Sequence, residues 1–129
     1  MKTRLLIAEA DVLGMFDRIA RHLGFDVETA SAGLECWSKL QTGVPEVLVI
    51  DAEILWGGGD GVLARLRDAP FRSMVPVVFI MGPERPDVLS RRFGVPARFC
   101  FQKPLQLGVL LGTVLTETRL RKQLQAAVC

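Results

Sequence analysis

Apolar residues in this chain fall into short solid runs, and the stretches between them carry apolar residues at helical spacing. The run RLLIA at 4–8 reads as a buried strand. After it, Val12, Met15, Phe16, Ile19 and Leu23 recur every three or four residues, which predicts one apolar face of a helix. Asp11 stands where it could cap that helix, and Gly24 stands where it should stop it. Phe25 to Thr29 is a second, shorter strand. A helix opening at Ser31 or Gly33 would carry Leu34, Trp37 and Leu40 as its stripe and end at Gly43 and Pro45. The sequence EVLVID at 46–51 is the best strand in the chain, with proline before it and a carboxylate at its end.

The second half repeats the alternation. WGGGDG at 56–61 is a loop, Val62, Leu63 and Leu66 predict a short helix, and PVVFIM at 76–81 is a fourth strand. Pro83, Pro86 and Pro96 confine the next helix to roughly 87–93. RFCFQ at 98–102 is the fifth strand. A last helix runs from about 105 to 126, with Leu107, Leu111, Val114, Leu115 and Thr118 as its inward stripe. Solid apolar strands joined by helical crossovers predict an α/β fold: a (βα)5 doubly wound, five-stranded parallel sheet covered on both faces.

Composition narrows the picture. The 129 residues suit one domain spanning 1–129, and 50% hydrophobic with 23% charged residues describes a packed globule. A formal charge of +2 argues against direct nucleic-acid binding. Charge is nevertheless uneven. Residues 1–60 hold 5 basic and 10 acidic side chains, and residues 61–129 hold 11 and 4. Cys36, Cys100 and Cys129 form neither a disulfide framework nor a zinc motif, so free thiols in a reducing cytoplasm are expected. No run is long enough to span a membrane.

In an open parallel sheet, ligands bind beyond the carboxyl ends of the strands. That rule selects Glu9, Ala10 and Asp11 after the first strand, Asp51 at the end of the third, Met81-Gly82 after the fourth and Lys103-Pro104 after the fifth. Carboxylates and one lysine would then share a rim that could hold a divalent cation and a phosphoryl group. There is no GxGxxG after the first strand and no GxxxxGK[ST], which weighs against a flavin binder or a nucleotide-binding half-domain.

The ordered set LLIAEAD, VLVID, PVVFIMG and FQKPL resembles the receiver domain of two-component response regulators across essentially the whole chain. The spacings agree: Asp51 to Lys103 is 52 residues, and Met81 to Lys103 is 22. The resemblance implies flavodoxin-like receiver topology, with Asp51 as phosphoacceptor and Lys103 contacting the phosphoryl group. It further implies a cis bond before Pro104 that turns the lysine inward. It also implies a Mg²⁺ site made by Glu9, Asp51 and the backbone carbonyl of Glu53. A receiver domain is a signalling module and not an enzyme. Its partners would be a sensor histidine kinase or phosphotransfer protein, and an output protein or second copy meeting the face of the fourth helix, fifth strand and fifth helix.

Four positions depart from that pattern. Glu9 replaces one acid by another. Ala10 stands where the second acid belongs, which should weaken the Mg²⁺ site, because charge count sets affinity. Met81 stands at the hydroxyl switch position, and a thioether donates no hydrogen bond. Cys100 stands at the aromatic switch position, flanked by Phe99 and Phe101, which can fill that space. The loop after Asp51 is two residues longer than usual, and the Glu53 carboxylate could stand in for the acid missing at Ala10. These departures leave a second reading open, a phosphate-independent pseudo-receiver that acts as a protein-interaction module. His22 reads as a surface residue and Trp37 as core. Trp56 could pack or anchor a partner. Arg85, Arg91 and Arg92, with Arg119, Arg121 and Lys122, give the output face a basic character.

Overall fold

A computed structural model describes residues 3–8, 14–54, 75 and 77–128. Five strands form one parallel sheet: β1 (Arg4–Ala8), β2 (Asp26–Ala30), β3 (Val47–Asp51), β4 (Val77–Gly82) and β5 (Cys100–Gln102). Four helices are described: α1 (Gly14–His22), α2 (Gly33–Thr42), α3 (Pro86–Phe93) and α4 (Leu107–Val128). The helix expected at Val62, Leu63 and Leu66 lies outside the described residues. α3 and α4 therefore correspond to the fourth and fifth helices of the sequence pattern.

The strand order is β2-β1-β3-β4-β5, every pair parallel. The chain winds outward one way from β1 to β2 and then the other way from β3 to β5. The direction reverses between β1 and β3, which leaves the crevice where such sheets bind ligands beside the end of β3. β3 is buried along its whole length and β1 along four of its five residues, because helices cover both faces of the central strands. Phe16 and Ala20 from α1, Cys36 and Leu40 from α2, Leu89 and Phe93 from α3, and Leu110 and Val114 from α4 close over them.

Several boundaries and faces differ from the sequence reading. The inner face of α2 is Gly33, Cys36 and Leu40, whereas Leu34 is exposed and Trp37 only partly covered. Side-chain size is a poor guide there, since small Gly33 and Cys36 share the inner face with Leu40. α1 buries Ala20 beside Phe16, and Leu23, just past its end, is exposed. α4 runs 107–128 and not 105–126, and its buried stripe is Leu110, Val114 and Thr118; Leu107, Leu111 and Leu115 only flank it. Arg98 and Phe99 are not strand residues. Ala97–Phe99 form a 3₁₀ turn started by Pro96, with the Phe99 N–H donating to the Pro96 carbonyl at 2.8 Å, which shortens β5 to three residues. α3 begins with Pro86 in its first turn and ends at Gly94 in the left-handed region, φ 68°. Gly24, φ 95°, ends the α1 segment as its sequence position predicts.

Candidate functional site

The end of β3 carries Asp51 into a covered position, 1% exposed. A carboxylate there needs partners for both oxygens. Oδ1 accepts the Glu53 backbone N–H at 2.8 Å, and the Ile54 N–H donates to the Asp51 carbonyl at 3.0 Å. These two bonds make a compact Asx-type turn. Ile54, fully buried, anchors it from below. Oδ2 accepts the Lys103 ammonium at 2.6 Å, joining residues 52 apart in sequence.

Lys103 reaches that position because β5 registers against β4. Cys100 pairs with Ile80, Phe101 with Met81, and Gln102 with Gly82. The ladder then continues past the strand end, where the Lys103 N–H donates to the Gly82 carbonyl at 2.7 Å. The Lys103–Pro104 peptide bond is cis. The turn after Asp51 also brings Glu53 round, so that its Oε2 lies 3.6 Å from the Lys103 Nζ. Burial, the largest single influence on Lys103, lowers its pKa. The hydrogen bond and negative charge of Asp51, joined by Glu53, outweigh it and hold the ammonium above the ordinary 10.5.

The site is thus a sealed carboxylate, a lysine and a half-exposed second carboxylate. Oxygen donors of this kind suit Mg²⁺, which accepts one or two carboxylates and completes its shell with water. Each Asp51 oxygen already serves one hydrogen bond and keeps a lone pair for a cation. No cluster of three or more metal-ligating side chains occurs among the described residues. Glu9, Ala10 and Asp11 lie outside the described residues, as do Trp56 and the glycines beside it.

The two switch positions are not rim residues. Met81 sits opposite Asp51 in the β3–β4 register and is fully buried, its carbonyl accepting the Ala52 N–H at 2.7 Å. Cys100 faces away from the pocket. Its thiol points at the Val95 and Pro96 carbonyls, 3.7 and 3.5 Å away, and burial pushes its pKa up to about 11. Phe79 packs edge-on against Phe99 at 5.0 Å and tilted against Phe101 at 6.0 Å, forming an aromatic cluster around the Cys100 backbone.

The surrounding arginines are less free than their number implies. Arg85 and Arg91 both approach Asp87, at 3.2 and 3.7 Å, and Arg92 meets Glu84 at 2.7 Å. His22 is exposed, in agreement with the sequence.

The arrangement is a doubly wound parallel α/β sheet of order 2-1-3-4-5, with an aspartate–lysine pair at the carboxyl end of its third strand, where such sheets place their ligand sites. Solved structures identify the fold as that of response-regulator receiver domains. The Vibrio cholerae chemotaxis response regulator CheY4 superposes with a TM-score of 0.74 over 90% of this chain and 98% of its own, at 21% identity. A CheY-like receiver domain from Methanospirillum hungatei gives 0.74 over 95% and 98%, at 18% identity. The Francisella response regulator 1452 receiver domain gives 0.73 over 92% and 98%, also at 18%. No family model matches the sequence, and no curated protein matches it.

Proposed function

We propose that the chain is a receiver domain of two-component phosphorelay signalling that accepts a phosphoryl group on Asp51. The observation that supports this reading best is the 2.6 Å contact between Lys103 and a sealed Asp51 on the fold of receiver domains. An Asp51 oxygen attacks the phosphorus of a phosphohistidine on a kinase or phosphotransfer protein. The P–O bond forms as the P–N bond breaks, and the histidine ring leaves neutral once it takes up a proton. Lys103 then neutralises a phosphoryl oxygen, so the protein contributes position and charge more than covalent chemistry. A bound Mg²⁺ would supply further neutralisation, held by Asp51, Glu53 and Glu9. With Ala10 in place of an acid, that binding is weak. The protein is a signalling module of the cytoplasm and not a turnover enzyme.

Output is proposed to run through the surface of α3, β5 and α4. A groove of about 190 Å³ lies there, walled by Phe101, Leu105 and Val109. With Gln102 and Gln106 also lining it, it offers a mixed polar and apolar seat to a protein partner or a second copy. Among the described residues no helix is long and apolar enough to cross a membrane.

The test is intact mass after treatment with a small phosphodonor and Mg²⁺. Wild type gains one phosphoryl group and Asp51→Asn gains none. If wild type gains none even at high Mg²⁺, phosphotransfer is excluded and the phosphate-independent interaction module remains. Met81, buried where a hydroxyl would sense phosphate, is the feature that would favour that outcome.

A further inference from the structure

The end of the sheet opposite Asp51 holds a cavity that phosphotransfer does not use. Its volume is about 530 Å³, within the ~300–1,000 Å³ typical of small-ligand sites. It opens between the end of α1 and the second half of α4, below the amino end of β1. Leu23, Phe25 and Leu115 provide apolar walls. Thr3 and Thr118 add polar edges, and Arg119 and Lys122 bring two cations. Among the described residues no acidic side chain lines it. A smaller recess of about 30 Å³ adjoins, sharing Lys122 and adding Arg121 and one acid, Glu46.

The cations at this end are uncommitted. Among the described residues, neither Arg119, Arg121 nor Lys122 takes part in an ion pair. A helix C-terminus nearby would ordinarily offer them free carbonyls. Here three of the last four α1 carbonyls are already taken: Ile19, Ala20 and Arg21 accept the N–H groups of Leu23, Phe25 and Gly24 at 2.9, 3.1 and 3.1 Å. Thr118 spends its hydroxyl proton on the Val114 and Leu115 carbonyls. What remains is a cavity with apolar walls, positive charge and, among the described residues, no internal counter-charge.

We propose that this cavity binds a small organic anion with an apolar or aromatic body, its phosphate, sulfonate or carboxylate held by Arg119 and Lys122. The apolar walls take the body of the ligand out of water, and charge-assisted bonds from the two cations fix its acidic group. Five-residue strands separate the cavity from Asp51 by about 16 Å, so occupancy here does not depend on phosphorylation there.

Anilinonaphthalene sulfonate is a probe of this chemistry, and uncharged anilinonaphthalene is its control. Titration of the full chain should show saturable fluorescence enhancement at one site. The double variant Arg119→Gln/Lys122→Gln changes only exposed side chains and should fold normally by circular dichroism. It should weaken sulfonate binding about tenfold or more and leave binding of the uncharged compound unchanged. Arg91→Gln, on α3, should have no effect. Absence of saturable binding, equal sulfonate affinity in the double variant, or a loss of the same size in Arg91→Gln would overturn the proposal.

Discussion

Removing Lys103 asks how a carboxylate that is 1% exposed fares without its counter-ion. Lys103→Met keeps most of the aliphatic stem and deletes the ammonium. Exposed ion pairs are worth roughly 0.2–1 kcal/mol, whereas stripping one partner from a wholly buried pair costs about 3–5 kcal/mol. This pair lies between those limits, because the lysine side chain is 24% exposed and the aspartate 1%. Glu53, with its Oε2 3.6 Å from the ammonium, adds repulsion against Asp51 once the cation is gone. The expected cost at neutral pH is about 2–3 kcal/mol. Asp51→Asn removes the buried charge yet keeps an acceptor for the Glu53 N–H, so in that background Lys103→Met should cost less than about 1 kcal/mol. Urea unfolding of the four proteins closes the cycle. Equal costs in both backgrounds would refute the claim that the Asp51 charge is what Lys103 stabilises.

The same series has a pH dependence of known sign. The folded state holds the Lys103 proton above the ordinary 10.5, so the unfolded chain releases that proton first. Its stabilisation is complete below about pH 10 and is lost as pH rises through the folded value. The stability gap between wild type and Lys103→Met should therefore stay constant through neutral pH and narrow as pH rises into the alkaline range.

Three further outcomes follow from other parts of the molecule. Glu53→Gln removes a carboxylate from the proposed cation site and should raise the Mg²⁺ dissociation constant roughly three- to tenfold by calorimetric titration; an unchanged constant would remove Glu53 from the ligand set. Gly82→Ala would place a Cβ 3.0 Å from Leu89 Cδ2 and 3.3 Å from Ala52 Cβ. It should cost about 1–3 kcal/mol by chemical denaturation, and less in a Leu89→Ala background. Cys36 is fully buried, and burial, helped by Glu35 and opposed by Lys39, pushes its thiol up to about 12 from 9.0. It should react with thiol reagents far more slowly than the unfolded chain near pH 8. Its contribution to stability holds below pH 9 and falls as pH rises towards 12.

Where the sequence could be read, the reason was burial on both sides. β1, β3 and β4 are solid apolar runs, and no helical face in a chain of this size needs four or five consecutive apolar residues. Periodicity failed where small residues face inward. Cys36 and Ala20 are core, and neither stands out beside Leu34 or Leu23, which are exposed. β5 was read too long because Arg98 and Phe99 continue an apolar pattern that Pro96 has already bent into a 3₁₀ turn. The partnership of Asp51 with Lys103 was legible only through family spacing, since nothing local in either segment points to the other. The cavity beside Arg119 and Lys122 left no linear trace. It arises from a gap between the α1 exit and α4, and such gaps are properties of packing.

The buried switch positions constrain how occupancy of the Asp51 site can reach the surface. Met81 is enclosed and has no hydroxyl, and the Cys100 thiol faces the Val95 and Pro96 carbonyls, away from the pocket. Neither side chain offers two arrangements that a phosphoryl group would choose between, and a ligand shifts an equilibrium only by binding its two states differently. The connection that remains runs through the chain around Lys103. The Lys103 ammonium is on Asp51, its backbone N–H is on the Gly82 carbonyl, and the preceding Gln102 donates its side-chain amide Nε2–H to the Pro83 carbonyl at 3.1 Å. β4 leads from Gly82 and Pro83 directly into α3, and Lys103 leads into Pro104 and α4. Both helices of the proposed output surface are therefore tied to one lysine by a few consecutive bonds. A charge change at Asp51 that moves that lysine acts on both helices together, without any side chain rotating in the core.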